Sequence, residues 1–228
     1  MKKFIFGACA VSLLVTQGFA ATDKAKIEDR LNSATQVVKE IMATPDKAIP
    51  DSILSRATCV AVVPGFKKAA FMVGGEYGQG VVTCRTPHGW SAPAFIQLKG
   101  GSFGFQIGGQ STDLVLVAMN EKGMQDLLKN KFKIGGNASA AAGPVGRDAS
   151  AATNLTLKSE LLTYSRAQGL FAGVDLSGTV VNQNTADTRT FYGSDIPFST
   201  ILSGKKVTPP SARPFVSTVA KYFHKASQ

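Results

Sequence analysis

The chain predicts one α+β domain: a mostly antiparallel, strongly coiled β-sheet with an N-terminal amphipathic helix and C-terminal helices. Three observations predict it. Apolar residues keep helical spacing near the start of the chain, whereas residues 59–120 carry strand-like runs punctuated by glycine. From Ala186 onward, short helical patterns are interrupted by Pro197, Pro209, Pro210 and Pro214. Hydrophobic residues make up 44% of the 228 and charged residues 18%, enough to fill a core and to exclude disorder as the main state.

The first twenty residues read as an export signal. Met1-Lys2-Lys3 is a basic start, residues 4–15 are apolar, and Gly18 and Ala20 are small residues at −3 and −1 before Ala21. Residues 1–20 are therefore expected to be a signal peptide cleaved after Ala20, giving a periplasmic or secreted protein. Cys9 is disfavoured as a lipoprotein acylation site, because Phe6 stands where such a box wants Leu and too short an apolar core precedes it. Loss of Lys2 and Lys3 leaves 23 basic against 15 acidic residues, a mature charge of +8. No later segment has the ~20 apolar residues of a spanning helix.

Residues 21–45 hold the amphipathic helix, and 46–228 complete the same domain. Over 23–42, Ile27, Leu31, Ala34, Val38 and Ile41 form one stripe, expected to pack on the domain. The four basic and four acidic residues of this helix cancel. Ile49–Ala57 reads as a second short helix with Pro50 in its first turn. Strands are expected at Val60–Val63, Phe71–Arg85, Trp90–Lys99, Phe103–Gly108 and Leu114–Met119. Turns are expected at Lys67-Lys68, Thr86–Gly89 and Gly100-Gly101. Glu121–Lys129 reads as a helix and Phe132–Ile134 as a strand. Gly143–Gly146 reads as a loop, and Thr156–Ser165 with Gly169–Val181 as a second strand pair. Val216–Phe223 is the last helix.

Cys59 and Cys84 survive cleavage as an even pair in an exported chain, which predicts a disulfide; two buried free thiols are the alternative. If their runs are neighbouring antiparallel strands, the distal ends meet. Gly74, Gly78 and Gly80 share strand parity and leave one face bare, for close approach of another backbone or, alternatively, a ligand groove. Trp90 suits edge packing or a membrane interface.

Catalysis has little to draw on. Two histidines and no Cys-x-x-Cys leave no metal site and no cofactor site to name. Gly100-Gly101-Ser102-Phe103-Gly104 fits the G-x-S-x-G elbow of serine hydrolases, but Phe103–Gly108 alternates as a strand where the elbow needs a helix. A serine hydrolase is thus the remote reading.

The ordered strings Ala57–Pro64, Gly74–Val81, Gly89–Phe95, Gly100–Gly108, Ala142–Arg147, Tyr164–Arg166, Gly169–Val174 and Phe191–Gly193, with Asp113, resemble the SYLF domain family, also called the Ysc84 actin-binding family. The resemblance covers about residues 27–204. It implies a non-catalytic lipid-binding module: eukaryotic members bind phosphoinositides, and some bind actin through adjoining sequence. The chain departs from them in lacking an SH3 or FYVE segment, in its bacterial-looking signal, and in its charge-neutral N-terminal helix.

Charge points to where an anionic lipid would bind. Residues 204–228 carry Lys205, Lys206, Arg213, Lys221 and Lys225 with no acid, +5 of the mature +8. Lys129, Lys131 and Lys133, at period two, are expected on one strand face. Lys129, Lys131, Lys133, Lys205 and Lys206 are the candidate lipid contacts, each worth roughly 1 kcal/mol near an anionic membrane. The partners expected are an anionic lipid surface of the envelope, phosphoinositide or other, and envelope proteins; the alternative function is a structural or protein–protein module there. Nucleic acid is not expected, since no recognition motif accompanies the charge.

Overall fold

Two long antiparallel strands, β1 (Cys59–Thr86) and β3 (Ala94–Ala118), organise the sheet. A flat strand of 28 residues would run roughly 90 Å. That is several times the ~17 Å radius of gyration of a domain of this size. The pair must therefore curl, and register shifts at Val63/Phe66 and Ala70/Met72 help it bend. At the first shift Gly65 adopts φ +59°, and its N–H donates to Asp113 Oδ1 at 2.9 Å. The structure, a computed structural model, describes residues 12–43, 49–129, 131–136, 138–144, 159–167, 170–173 and 176–224.

The curl brings the two ends of β1 together. Arg85 N–H donates to Thr58 O at 2.7 Å, and the Cα atoms of Cys59 and Cys84 are 4.0 Å apart. The glycines permit this approach. A Cβ on Gly80 would lie 2.5 Å from Val62 O, and one on Gly78 would lie 2.7 Å from Phe66 and Val63 side-chain atoms. The bare parity at Gly78 and Gly80 thus serves backbone packing. The two cysteine runs are thus the two ends of one curled strand, brought together beside Thr58 and Arg85, rather than two separate strands.

Several boundaries differ from the sequence reading. Gly100-Gly101 is no turn: both residues lie inside β3, opposite Glu76 and Gly75. Lys67-Lys68 lies inside β1, not in a turn, paired with Ser111 and Gln110. Unbroken register from Met72 opposite Gly104 to Val82 opposite Ala94 overrides glycine's usual role as a breaker at 100–101. The tight turn that does occur, Pro87-His88, leads into β2 (Gly89–Trp90), which pairs with the end of β1.

β6 (Leu161–Ala167) pairs with β3; β5 (Ala140–Ala142) runs parallel to β6, and β7 (Leu170–Gly173) antiparallel to it. The expected strand Gly169–Val181 splits, because β8 (Val180–Gln183) leaves β6 to pair with β3 at Ile96–Lys99. β4 (Lys131–Lys133) lies outside β8. Val145 and Gly146 of the expected loop, and residues 156–158, 169, 174 and 175 of the expected strand pair, lie outside the described residues.

Helix α1 runs Ser12–Met42, beginning upstream of the expected 23. Its stripe of Ile27, Leu31, Ala34, Val38 and Ile41, with Val37, is buried. These residues meet Val60, Val62, Val81, Phe95, Val115, Val117 and Tyr164 on one face of the sheet. α2 (Asp51–Leu54), α4 (Thr185–Tyr192) and α5 (Arg213–Tyr222) join that core. The other face holds Cys59, Val63, Phe66, Cys84, Ile96, Leu98, Leu114 and Leu116. It is covered by Leu127 of α3 (Glu121–Leu128), Phe132, Leu176, and the helical turns Phe198–Thr200 and Ile201–Lys205. Among the described residues no helix is long and apolar enough to cross a membrane.

Caps end these elements as the sequence chemistry requires. Asn120 accepts from Gly123 N–H at 2.9 Å at the start of α3, and Asn184 accepts from Asp187 N–H at 3.1 Å at the start of α4. Gly193, at φ +74°, closes α4.

Candidate functional site

Polar networks fix the sheet under the helices. Asp113 accepts from Arg166 Nη2 at 2.6 Å and Nε at 3.0 Å, and Arg166 also pairs with Glu40 of α1. Arg85 donates to the carbonyls of Ala57 (2.9 Å), Leu54 (3.3 Å) and Phe223 (2.9 Å), with its guanidinium 4.8 Å from the Trp90 ring centroid. Burial lowers the Arg85 pKa from its ordinary value. Trp90 also meets Phe223 edge-on at 6.0 Å, the edge-packing role expected of it. These residues hold structure and present no reactive group.

The Ser102 environment lacks the strand–turn–helix of a nucleophile elbow. Ser102 sits in mid-strand opposite Gly74, with β3 continuing on both sides. Among the described residues no group of three or more His, Cys, Asp or Glu side chains is placed to hold a metal ion.

The structure places the candidate lysines in two areas rather than one. Lys131 and Lys133 flank buried Phe132 on β4, with both side chains exposed on one face. Lys129 does not share that face, correcting the period-two expectation. It caps the end of α3, where helical geometry replaces strand alternation, and pairs with Asp126. Lys205 is exposed at the turn Ile201–Lys205, whose Gly204 has φ +83°. Lys206 lies 5.6 Å from the ring centroid of Tyr192. Tyr192 donates to Pro93 O at 2.6 Å, and burial raises its pKa well above the ordinary tyrosine range. Ile201 and Leu202 anchor this turn in the core on the far side of the sheet from α1. Cys59 and Cys84 are fully buried with sulfurs 2.04 Å apart, at disulfide distance.

Residues beyond the candidate set complete the basic area around β4. Lys131 lines an open groove of about 510 Å³ with Gln97, Lys99, Asn182 and the glycines 100, 101 and 178. A second groove of about 340 Å³ lies between α1 and β1, walled by Lys26, Asp29, Arg30, Lys67, Tyr77 and Gln79, so its charge is mixed. Arg30 donates to Gln79 Oε1 at 2.7 Å and pairs with Asp187. The sequence signal for Lys99 and Gln97 was present: β3 alternates apolar at Phe95 and turns polar at the next two positions of that parity. The Gly100-Gly101 pair, a turn signal by itself, masks that alternation.

A curled sheet covered by helices, with open grooves beside β4 and α1, defines the class of this chain as α+β. The chain belongs to the Ysc84 family: the model described as "Las17-binding protein actin regulator" matches residues 99–222. The chain is 35% identical over 175 residues to Protein YSC84 of Saccharomyces cerevisiae, covering 75% of this chain and 37% of the relative. It is 32% identical over 197 residues to the same yeast's LAS seventeen-binding protein 3, covering 81% and 43%. It is 35% identical over 170 residues to human SH3 domain-containing YSC84-like protein 1, covering 74% and 49%. The chain thus spans half or less of the length of these relatives.

Proposed function

We propose that this protein is a non-catalytic module that docks on anionic membrane surfaces of the bacterial envelope after export by residues 1–20. The observation that carries the reading is the separation of charge from packing. Lys131 and Lys133 stand exposed on an edge strand, and Lys205 stands exposed at a turn anchored by Ile201 and Leu202. Cations so held present their charge at no cost to the core, and each contributes roughly 1 kcal/mol near an anionic bilayer. Lys129 contributes less than sequence implied, since Asp126 already pairs with it. Liposome sedimentation tests the reading: binding to anionic but not zwitterionic vesicles, lost at high salt, is expected.

A protein partner is the second reading, favoured by the family description "Las17-binding protein actin regulator". Absence of binding to either vesicle would favour it.

A further inference from the structure

Beyond membrane docking, we infer that the exposed sheet face across β1, β3, β8 and β4 binds an anionic polysaccharide. Register aligns Gln79, Gln97, Asn182 and Lys131 in one row across the four strands. The next row on the same face is Tyr77, Lys99, Val180 and Lys133. The residues between the rows, Gly78, Leu98, Val181 and Phe132, are buried on the opposite side. This face is a row of carboxamides beside an exposed tyrosine, with cations along it and no carboxylate in either row.

That composition fits a glycan better than a bilayer. A carboxamide donates and accepts at once, as a sugar hydroxyl does. Gln97, Asn182, Lys99 and Lys131 have no hydrogen-bond or ion-pair partner among the described residues, so their bonding capacity faces the groove. Tyr77 is one of two exposed large hydrophobic side chains among the described residues, and its ring offers an apolar plate for the C–H face of a pyranose. Gly101 keeps the floor low: a Cβ there would find nothing nearer than Gly74 O at 4.0 Å. Strands about 4.8 Å apart make the row roughly 14 Å long, and its polar groups recur at about the advance of successive sugars in an extended chain. Lys99 and Lys131 would pair with carboxylates of a uronic-acid polymer.

Affinity electrophoresis of the full chain tests this, with polygalacturonate as probe, dextran as neutral control and dextran sulfate as charge control. Retardation by polygalacturonate and not by dextran is expected. Tyr77→Ala and Gln97→Ala, which leave the net charge unchanged, should each weaken it at least fivefold, and Lys99→Gln with Lys131→Gln should abolish it. Thermal melts confirm that these surface variants fold. No retardation by polygalacturonate, equal retardation by dextran, or retardation by both polyanions insensitive to Tyr77→Ala overturns the inference. If Tyr77→Ala and Gln97→Ala instead weaken vesicle sedimentation, the face is the membrane surface and the glycan inference falls while the membrane reading stands. Glycan binding without vesicle binding leaves this inference intact and removes the other.

Discussion

Val81 and Phe95 lie on the same face of the same two strands as Tyr77, Gln79, Gln97 and Lys99, one or two alternations away. The first pair is fully buried under α1 and α4, with Phe95 edge-on to Phe191 at 5.1 Å. The second group is half-buried or exposed. Arg30 marks the border: it reaches from α1 to Gln79 on the open side and Asp187 on the covered side. One continuous hairpin thus carries a structural half and a surface half. The apolar stripe of α1 packs on the structural half, whereas beside Tyr77 and Gln79 the same helix presents Lys26, Asp29 and Arg30, because burying amides and ammonium groups under an apolar stripe would leave them unpaired.

The sharpest way to break this comparison is to truncate one residue in each half. Phe95→Ala should cost about 3–5 kcal/mol in urea unfolding, as deletion of a buried aromatic does. Tyr77→Ala should stay within about 0.5 kcal/mol of the parent. Equal losses would mean that both halves are packed.

The curl is tested next. Thiol titration of the denatured, unreduced protein should find no free Cys59 or Cys84. Cys59→Ser with Cys84→Ser should cost about 3–4 kcal/mol on the chain-entropy model, for a sequence separation of 25. Two free thiols would leave the approach of the β1 ends to packing alone. Gly80→Ala should cost about 3 kcal/mol by overpacking, since Val62 O stands 2.5 Å from the new Cβ. Gly75→Ala, with nothing within 4 Å, should be nearly neutral.

A smaller effect concerns pH. Burial alone would raise the Glu160 carboxyl, but hydrogen bonds from Lys122 and from Ser139 N–H (2.6 Å), with the Lys122 charge, hold it below its ordinary 4.5. Its contribution to stability is present above that pH and is lost as pH falls through the lower folded value. Glu160→Gln should flatten the acid limb of a melting-temperature profile; an unchanged profile would assign acid lability elsewhere.

The smallest expected effect on folding is at the far turn. Lys205→Glu with Lys206→Glu should leave the melting temperature nearly unchanged and weaken binding to anionic vesicles several-fold. Salt-insensitive, unchanged affinity would move membrane contact away from this turn.

Much of the fold was legible in local chemistry. The stripe of Ile27, Leu31, Ala34, Val38 and Ile41 prescribes a helix with one buried side, because 3.6-residue periodicity leaves it no other use. Asn120, Asn184 and Gly193 mark helix ends by their own hydrogen bonding or backbone freedom. The ordered motifs made the family recognisable before any geometry. The candidate site was less legible: Lys131 and Lys133 were found by alternation, whereas Lys99, Gln97 and Asn182 join them only across strands distant in sequence.

The sequence by itself determined the α+β class, the helix stripe, the pairing-competent cysteines and the glycine parity at 78 and 80, since each depends on neighbours a few residues apart. Only the tertiary structure decided that Gly100-Gly101 continues a strand, that β8 leaves β6 for β3, and that Lys129 faces Asp126 instead of Lys131. Those outcomes depend on which distant segment presents free backbone donors and acceptors at that place, and strand pairing satisfies them regardless of the local preference for a turn.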